Sequence, residues 1–432
     1  MAQESWISRK GFSPGDLLLF VLPLLFYSVE GGYGVAYGLL VCFAVLRIAY
    51  IRFLAQPTPS GDLTAWTEVF KTPFVAAIAI YCGVCIAIDL AHNEPINAYE
   101  RYLVWVLAPI VLIGLRGLPL NAEAFFIGGA LATIVACTRA LYMVTVEGVY
   151  RPAPGANNPI LFGNTSLLLA MLCLSGFLYS AKEMATAYRT LLLIGTLAGL
   201  YASFLSGSKG GWISLPLLVI ILGIHSLRFR RWRQFIALVL ITAIGAGLSF
   251  APGSTVPERL REAREDIEQY ARTWGKPHQD RVVGGSVGIR LEQYLVSIYA
   301  VPNHVLIGRS HSEIMKLKTE LVLQGKIQSS AGDPHFISVH NELIDHLLQR
   351  GVVGLLALII FYALIIREFS RSPNPPSSLV GPKLFGTVMG FALIEFGLTN
   401  PQLIFSHTRH AFGFLIVVAV AVTSAMQKNR NT

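Results

Sequence analysis

The sequence predicts an all-α polytopic membrane protein with about twelve transmembrane helices, and three observations support this. Of its 432 residues, 53% are hydrophobic and only 14% are charged, and the mean hydropathy is +0.57. These values lie outside the range of soluble domains. Apolar runs recur along the chain between short polar loops. Lysine and arginine concentrate in alternate loops, so the net charge of +9 reflects membrane topology and not nucleic-acid binding.

The predicted membrane helices are twelve apolar runs, and the sequence defines the ends of each run only to within several residues. Several runs are shorter than the ~20 residues of a straight span, so their polar flanks must complete the crossing. The first two runs could merge or break at Glu30-Gly31-Gly32. The runs are 17–29, 33–51, 73–91, 103–118, 124–145, 159–180, 190–205, 212–226, 235–251, 352–367, 384–402 and 411–426.

Loop charge predicts the orientation of the chain. With the N-terminus inside, most lysines and arginines of the short loops fall on the cytoplasmic side, and RFRRWR at 228–233 is the strongest anchor. Both termini are then cytoplasmic. Residues 1–251 hold the first nine transmembrane helices, 252–339 form a long loop on the outer side, and 340–432 hold the last three helices.

The long loop is predicted to contain two helices. In the first, TVPERLREAREDIEQYARTW, apolar residues recur at helical spacing with the acidic residues largely elsewhere. Such a helix packs on the bundle or lies at the membrane surface. Its apolar residues are Leu260, Ile267, Tyr270, Ala271 and Trp274. The second predicted helix spans residues 290–301.

Two cations in glycine-rich settings on the outer side suggest an anion site. Lys209 lies in LSGSKGGW and Arg290 in GGSVGIRLEQYL. Backbone N–H groups exposed by glycines, helix N-termini and arginine all favour phosphate. Together the two cations suit a diphosphate, and Arg151 and Arg309 could join them. The alternatives are a solvated loop lysine and a surface arginine paired with Glu292.

The sequence contains neither a P-loop nor GxGxxG, and it has no Asp-x-Asp of the kind that holds a metal for nucleotide-sugar donors. If the protein is an enzyme, its energy must therefore arrive in the substrate, and we expect neither a cofactor nor a metal.

His340 is the candidate base, in the segment SVHNELIDHLLQRGVVG. Ser338 is a plausible N-cap, His340 and Gly351 would share a helical face, and Gly351 and Gly354 would allow a neighbouring helix to approach closely. A neutral imidazole held there can accept a proton from a sugar hydroxyl. The alternatives are an ordinary hydrogen-bonding histidine and a zinc ligand, although no HxxxH or HExxH spacing is present.

The histidine segment resembles a motif of the O-antigen ligase family, H-[N/S/Q]-x9-G-x-x-[G/T/Y]. Here His340-Asn341 is followed by nine residues and then Gly351-Val352-Val353-Gly354. The topology, with one long periplasmic loop before the motif, is also similar, as are SGSKGG and GIRLEQYL. Relatives more often carry arginine where this chain has Lys209.

The resemblance implies a GT-C-type, inverting glycosyltransferase of the bacterial inner membrane with a periplasmic active site. It would move O-antigen glycan from undecaprenyl diphosphate to lipid A–core, without metal, cofactor or nucleic acid. His340 would be the catalytic base and Arg290 and Lys209 would stabilise the departing diphosphate, with Arg151 and Arg309 as further candidates. Asn341, Gly351 and Gly354 would support the site. Three alternatives remain: an O-antigen polymerase, a protein O-oligosaccharyltransferase and, outside enzymes, a lipid or polysaccharide transporter.

Overall fold

The computed structural model of the chain describes residues 13–53, 61–179, 185–250, 256–274, 276, 283, 285–328, 331–332, 338–371 and 377–431. Within these ranges the regular structure is helical throughout, as the sequence predicts. It comprises sixteen α-helices and one short 3-10 helix, Ile96–Tyr99.

The α-helices are numbered in chain order. They are α1 (Pro14–Ser28), α2 (Gly32–Phe53), α3 (Gly61–Phe70), α4 (Pro73–Ala91), α5 (Glu100–Leu115), α6 (Ala122–Thr145), α7 (Pro159–Tyr179), α8 (Thr186–Leu205), α9 (Lys209–Arg228), α10 (Trp232–Ser249), α11 (Val256–Thr273), α12 (Gly285–Ala300), α13 (His311–Leu323), α14 (Glu342–Ser370), α15 (Ser377–Gly397) and α16 (Ser406–Asn431).

Ten of the described helices are long and apolar enough to cross a membrane. Two shorter apolar helices, α1 and α10, occupy the first and ninth predicted runs, so each of the twelve runs corresponds to a helix. The first two runs do not merge, because α1 ends at Ser28 and α2 begins at Gly32. The fold is that of a polytopic helical membrane protein.

Helix α7 lies at the centre of the bundle. Its side chains are buried on every face, and it packs against α6, α8 and α15. A helix that is apolar all round is stable only when other helices surround it. By contrast α2 is exposed along much of one side, where Leu46 is 70% exposed, as expected of a helix that faces lipid.

Helix α14 contains a sharp break at Gly351. This residue has φ 61° and ψ −164°, a conformation almost restricted to glycine. A break leaves backbone N–H groups without intrahelical acceptors. Here Val352 and Val353 donate their N–H groups to the carbonyls of Val305 and Leu306, at 2.8 and 3.1 Å. The long loop therefore binds the broken helix through backbone hydrogen bonds.

The predicted role of the two glycines as a helix–helix contact is wrong. A Cβ on Gly351 would lie 2.3 Å from the carbonyl of Leu306, which belongs to the long loop. A Cβ on Gly354 would lie 2.1 Å from the side chain of Arg350, one turn earlier in the same helix. The absence of a side chain at Gly351 allows the long loop to pack against α14. The absence of a side chain at Gly354 leaves space for the Arg350 side chain on the helix surface.

Arg350 forms a buried ion pair with Asp89 of α4. Its Nη2 lies 3.1 Å from Asp89 Oδ1, and each side chain is only 3% exposed. Tyr102 of α5 donates a hydrogen bond to Asp89 Oδ2 at 2.6 Å. Buried charges require partners of this kind. The cluster joins α14 to α4 and α5 close to the break.

Both helices predicted in the long loop are present, as α11 and α12. Packing covers only part of the apolar face of α11: Tyr270 is buried, whereas Leu260, Ile267 and Trp274 are more than half exposed. Two further helices, α3 and α13, were not predicted. Both are short and only weakly apolar, so neither gives an apolar run.

We predict that Gly351→Ala destabilises the protein. Alanine would adopt the backbone conformation of Gly351 at a cost of about 1–3 kcal/mol, and its methyl group would collide with the Leu306 carbonyl. The measurement is thermal unfolding in detergent.

Gly83→Ala is the matched control for this substitution. Gly83 lies inside α4 with open space around the site of a new Cβ, so alanine there should leave the melting temperature unchanged or raise it slightly. Equal melting temperatures for the two variants would contradict the inferred constraint.

Candidate functional site

His340 does not lie on α14 but in the short connection before it. It has φ 60°, a left-handed conformation uncommon for residues other than glycine. Asn341, not the predicted Ser338, is the N-cap, since its Oδ1 accepts from the N–H groups of Leu343 and Ile344 at 3.1 and 3.2 Å. His340 therefore shares no helical face with Gly351, and that prediction is wrong.

Asp345, in the first turn of α14, holds the connection before the helix in place through hydrogen bonds. Its carboxylate accepts from the hydroxyl of Ser338 at 2.5 Å and from the N–H of Val339 at 2.9 Å. The Ser338 hydroxyl in turn accepts from the N–H of His340 at 2.8 Å. Ser338 thus fixes the backbone that carries the imidazole, instead of capping the helix.

The imidazole of His340 is held by Asn400. Nδ1 lies 3.1 Å from Oδ1 of Asn400, which belongs to the segment between α15 and α16. Because an amide oxygen only accepts hydrogen bonds, Nδ1 carries the proton. Nε2 then holds the lone pair and is the nitrogen able to take up a proton. No sequence pattern indicated Asn400, which lies 60 residues from the histidine.

The segment that carries Asn400 is itself anchored to α14. Glu342, the first residue of the helix, accepts from the N–H groups of Gln402 and Leu403 at 2.6 and 3.1 Å. The Glu342 side chain is fully buried. The first turn of α14 therefore fixes both the imidazole and its partner.

His340 is poised to remain neutral. Burial lowers its pKa below the ordinary 6.5, the bond to Asn400 raises the pKa, and the positive charges of Arg290 and Lys318 lower it further. The net direction is downward, so the imidazole is unprotonated at neutral pH. Neutral imidazole is the form required of a general base.

Arg290 lies near His340 without a carboxylate partner among the described residues. The predicted alternative, a pair with Glu292, is absent: the Glu292 carboxylate accepts from the hydroxyl of Tyr270 at 3.0 Å and from the N–H of Gln328 at 3.2 Å. Burial lowers the pKa of Arg290, but a guanidinium remains charged. Its charge acts on both His340 and Arg151.

Arg151 supports the glycine-rich turn that begins α9. Its Nε donates to the carbonyl of Ser206 at 3.1 Å, and Nη2 to that of Gly207 at 3.4 Å. Burial lowers the pKa of Arg151, and the charges of Arg259 and Arg290 act in the same direction. The structure thus brings Arg151 and Arg290 into one positive region.

Lys209, in the same turn, is neutralised by α11. Its Nζ lies 3.3 Å from Glu262 Oε2, which also receives Nη1 of Arg259 at 2.8 Å. Arg259 additionally lies over the ring of Tyr150, with 5.2 Å from Cζ to the centroid. Sequence reasoning missed Arg259, because an arginine on an amphipathic helix is indistinguishable from its solvated neighbours.

The turn also contacts the segment of Asn400. A Cβ on Gly210 would lie 2.3 Å from the hydroxyl of Thr399, so only glycine permits this approach. The glycine-rich turn therefore contacts Thr399, and the imidazole of His340 contacts the next residue, Asn400. The turn and the imidazole lie at the same end of the bundle.

Arg309 is not part of this cluster. Its Nε donates to the carbonyl of Ala300, the last residue of α12, at 3.2 Å, and its backbone N–H donates to Leu348 at 2.8 Å. Both contacts are structural, because the first joins two parts of the long loop and the second ties the loop to α14 just before the break.

The site thus combines a neutral, oriented imidazole with a group of cations at one end of a membrane-embedded helix bundle. Among the described residues no cluster of potential metal ligands occurs. This arrangement is suited to removing a proton from one group while stabilising negative charge on another.

Comparison with known proteins points to one family. Residues 194–359 match the family model described as O-Antigen ligase. This range includes Lys209, Arg290 and the motif from His340 to Gly354, so the family match supports the resemblance seen in the sequence. The match indicates a glycosyltransferase-like ligase activity. An uncharacterized protein of Haemophilus influenzae is 23% identical over 290 residues, 67% of this chain and 69% of that protein.

We predict that Arg290→Gln weakens the binding of inorganic diphosphate by about tenfold or more, the effect of one lost charge-assisted contact. Isothermal titration of the purified protein measures it. Arg261→Gln is the matched control, because Arg261 is 71% exposed and pairs with Glu265 on the same loop. Equal affinities for the two variants would remove Arg290 from the anion site.

Proposed function

We propose that the protein transfers O-antigen glycan from undecaprenyl diphosphate to lipid A–core at the periplasmic face of the bacterial inner membrane. The observation that carries this proposal is the pairing of His340 Nδ1 with Asn400, with the charge of Arg290, which has no carboxylate partner among the described residues, acting on the imidazole. The family match supports a lipid-linked glycan as donor and a lipid-anchored acceptor.

In the proposed reaction His340 Nε2 accepts the proton of an acceptor hydroxyl. The oxygen attacks the anomeric carbon of the donor sugar while the bond from that carbon to the diphosphate oxygen breaks. This single displacement inverts the anomeric configuration. The electron pair leaves with undecaprenyl diphosphate, whose growing charge Arg290 and Arg151 stabilise. Lys209 would join them if the anionic donor displaced Glu262.

The orientation in the membrane is part of the proposal. We place both termini in the cytoplasm and His340 on the periplasmic side, because RFRRWR lies at the end of the bundle opposite the histidine. Lipid-linked glycans and the sugars of lipid A–core would then meet at the first turn of α14.

Two related transferases share this chemistry and differ only in the acceptor. A polymerase would use another lipid-linked repeat unit, and a protein O-oligosaccharyltransferase a serine or threonine. The decisive reaction contains purified protein, glycan-loaded undecaprenyl diphosphate and EDTA, with or without lipid A–core, and the products are sized on a gel. Glycan on lipid A–core is the expected result. Longer lipid-linked chains would identify a polymerase, and no transfer would favour a protein acceptor or transport.

We predict that His340→Ala lowers the transfer rate by about 10²–10⁴-fold, the usual contribution of a general base. Thermal unfolding should change little, because His340 lies in the connection before α14 and not within a helix. His304→Ala, a histidine of the same long loop, should retain full activity. Substantial transfer by His340→Ala would exclude the histidine as the base.

The pH dependence of transfer tests the role of Asn400. The base must be neutral, and burial lowers its pKa below the ordinary value, so the rate should be constant around and above neutral pH and fall as the pH drops through that lowered pKa. Asn400→Asp places a negative charge at Nδ1 and should move the acidic limb to higher pH. Asn400→Ala loses the orienting bond and should cost about tenfold to a hundredfold in kcat. An unshifted limb in Asn400→Asp would show that Asn400 does not hold the base.

A further inference from the structure

A cavity with several basic lining residues lies at the opposite end of the bundle from His340. It has a volume of about 240 Å³ and lies where α9 and α14 end and α15 begins, with His225, Arg228, Phe369 and Lys383 among its lining residues. The same three helices have their other ends, Lys209, Glu342 and Gly397, beside the His340 site. The cavity is therefore on the other membrane face and separate from the transfer site.

Lys383 is the unusual residue of this cavity. It is 6% exposed, and within the described part of the chain its ammonium group makes no hydrogen bond or ion pair. The nearest opposing charge is Glu368, which acts on Lys383 from beyond bonding distance and accepts instead from the N–H of Phe74 at 3.2 Å. The side chain is thus largely buried while its ammonium group, which has no bonded partner in the described chain, remains accessible at the cavity and available to an anionic ligand.

The other polar groups of the cavity are also hydrogen-bond donors or cations. Nε2 of His225 is buried and has no hydrogen-bond partner among the described residues. Arg228 lines the cavity, and Arg231 acts electrostatically on His225. Two cations, Arg228 and Lys383, and the imidazole of His225 thus line the cavity, which has no carboxylate among its described lining residues. The nearby Glu368 interacts with both Arg371 and Lys383. This excess of donors and positive charge fits a phosphate group.

The surroundings favour a lipid phosphate over a free one. Ile224 lines the cavity and is 59% exposed on the outer side of α9, so the polar interior opens beside a surface suited to acyl chains. The cavity also lies at the ends of three membrane-spanning helices, the level of lipid headgroups. Basic pockets between transmembrane helices on the cytoplasmic side are typical sites for anionic headgroups.

We propose that this cavity binds the phosphate of an anionic phospholipid, with Lys383 and Arg228 as counterions and His225 as a hydrogen-bond donor. Topology alone accounts for exposed arginines such as those of RFRRWR, but it does not account for a buried lysine that lines a cavity. The inference is independent of the transfer reaction.

Native mass spectrometry of the purified protein tests the proposal. The protein is offered phosphatidylglycerol or phosphatidylcholine in mixed micelles, and the retained lipid is counted. Wild-type protein should retain phosphatidylglycerol preferentially. Lys383→Gln should weaken that retention by about tenfold or more, whereas Lys383→Arg should preserve it. Arg189→Gln is the matched control, because Arg189 is an exposed arginine at the same face outside the cavity.

Two further measurements make the outcome decisive. Phosphatidylglycerol should raise the melting temperature of the wild-type protein and of Lys383→Arg, but not of Lys383→Gln. Millimolar inorganic phosphate should fail to displace the lipid, and displacement would assign the cavity to free phosphate instead. Equal lipid retention by Lys383→Gln and Arg189→Gln would overturn the proposal.

Discussion

The organisation of the site depends on two buried carboxylates in the first turn of one helix. Asp345 fixes the connection that carries His340, and Glu342 fixes the segment that carries Asn400. Carboxylates are favoured at a helix N-terminus by the helix dipole, and each accepts two or more hydrogen bonds here, which offsets the cost of burial. The imidazole and its partner come from distant parts of the chain, and this turn is their common support.

The break at Gly351 explains how a long loop can be rigidly joined to a membrane helix. The broken helix has N–H groups to satisfy, and the loop supplies carbonyls from Val305 and Leu306. Just before the break, Arg350 reaches across Gly354 to Asp89. The glycines of the motif thus serve the local geometry of α14, and through it the position of the first turn and of His340.

Charge is distributed unevenly around His340. Arg151 and Arg290 have no carboxylate partner among the described residues, whereas Lys209 and Arg259 share Glu262. Burial strengthens electrostatic interactions because screening by water is reduced. In the proposed reaction these cations would stabilise the diphosphate leaving group, while burial, together with the charges of Arg290 and Lys318, lowers the pKa of His340 and keeps it neutral.

The sequence by itself determined the helical membrane fold, because apolar runs and loop charge are local properties of the chain. It also singled out His340 and Arg290 as candidate site residues, through a short motif and a glycine-rich context. It did not reveal Asn400 or Arg259, and it assigned Ser338 and the two glycines the wrong contacts. Those roles depend on which segments meet across the bundle: Asn400 is 60 residues from His340, and Gly351 contacts Leu306. Only the tertiary structure decides such contacts, because hydrogen-bond partners distant in sequence leave no periodic signal in either segment.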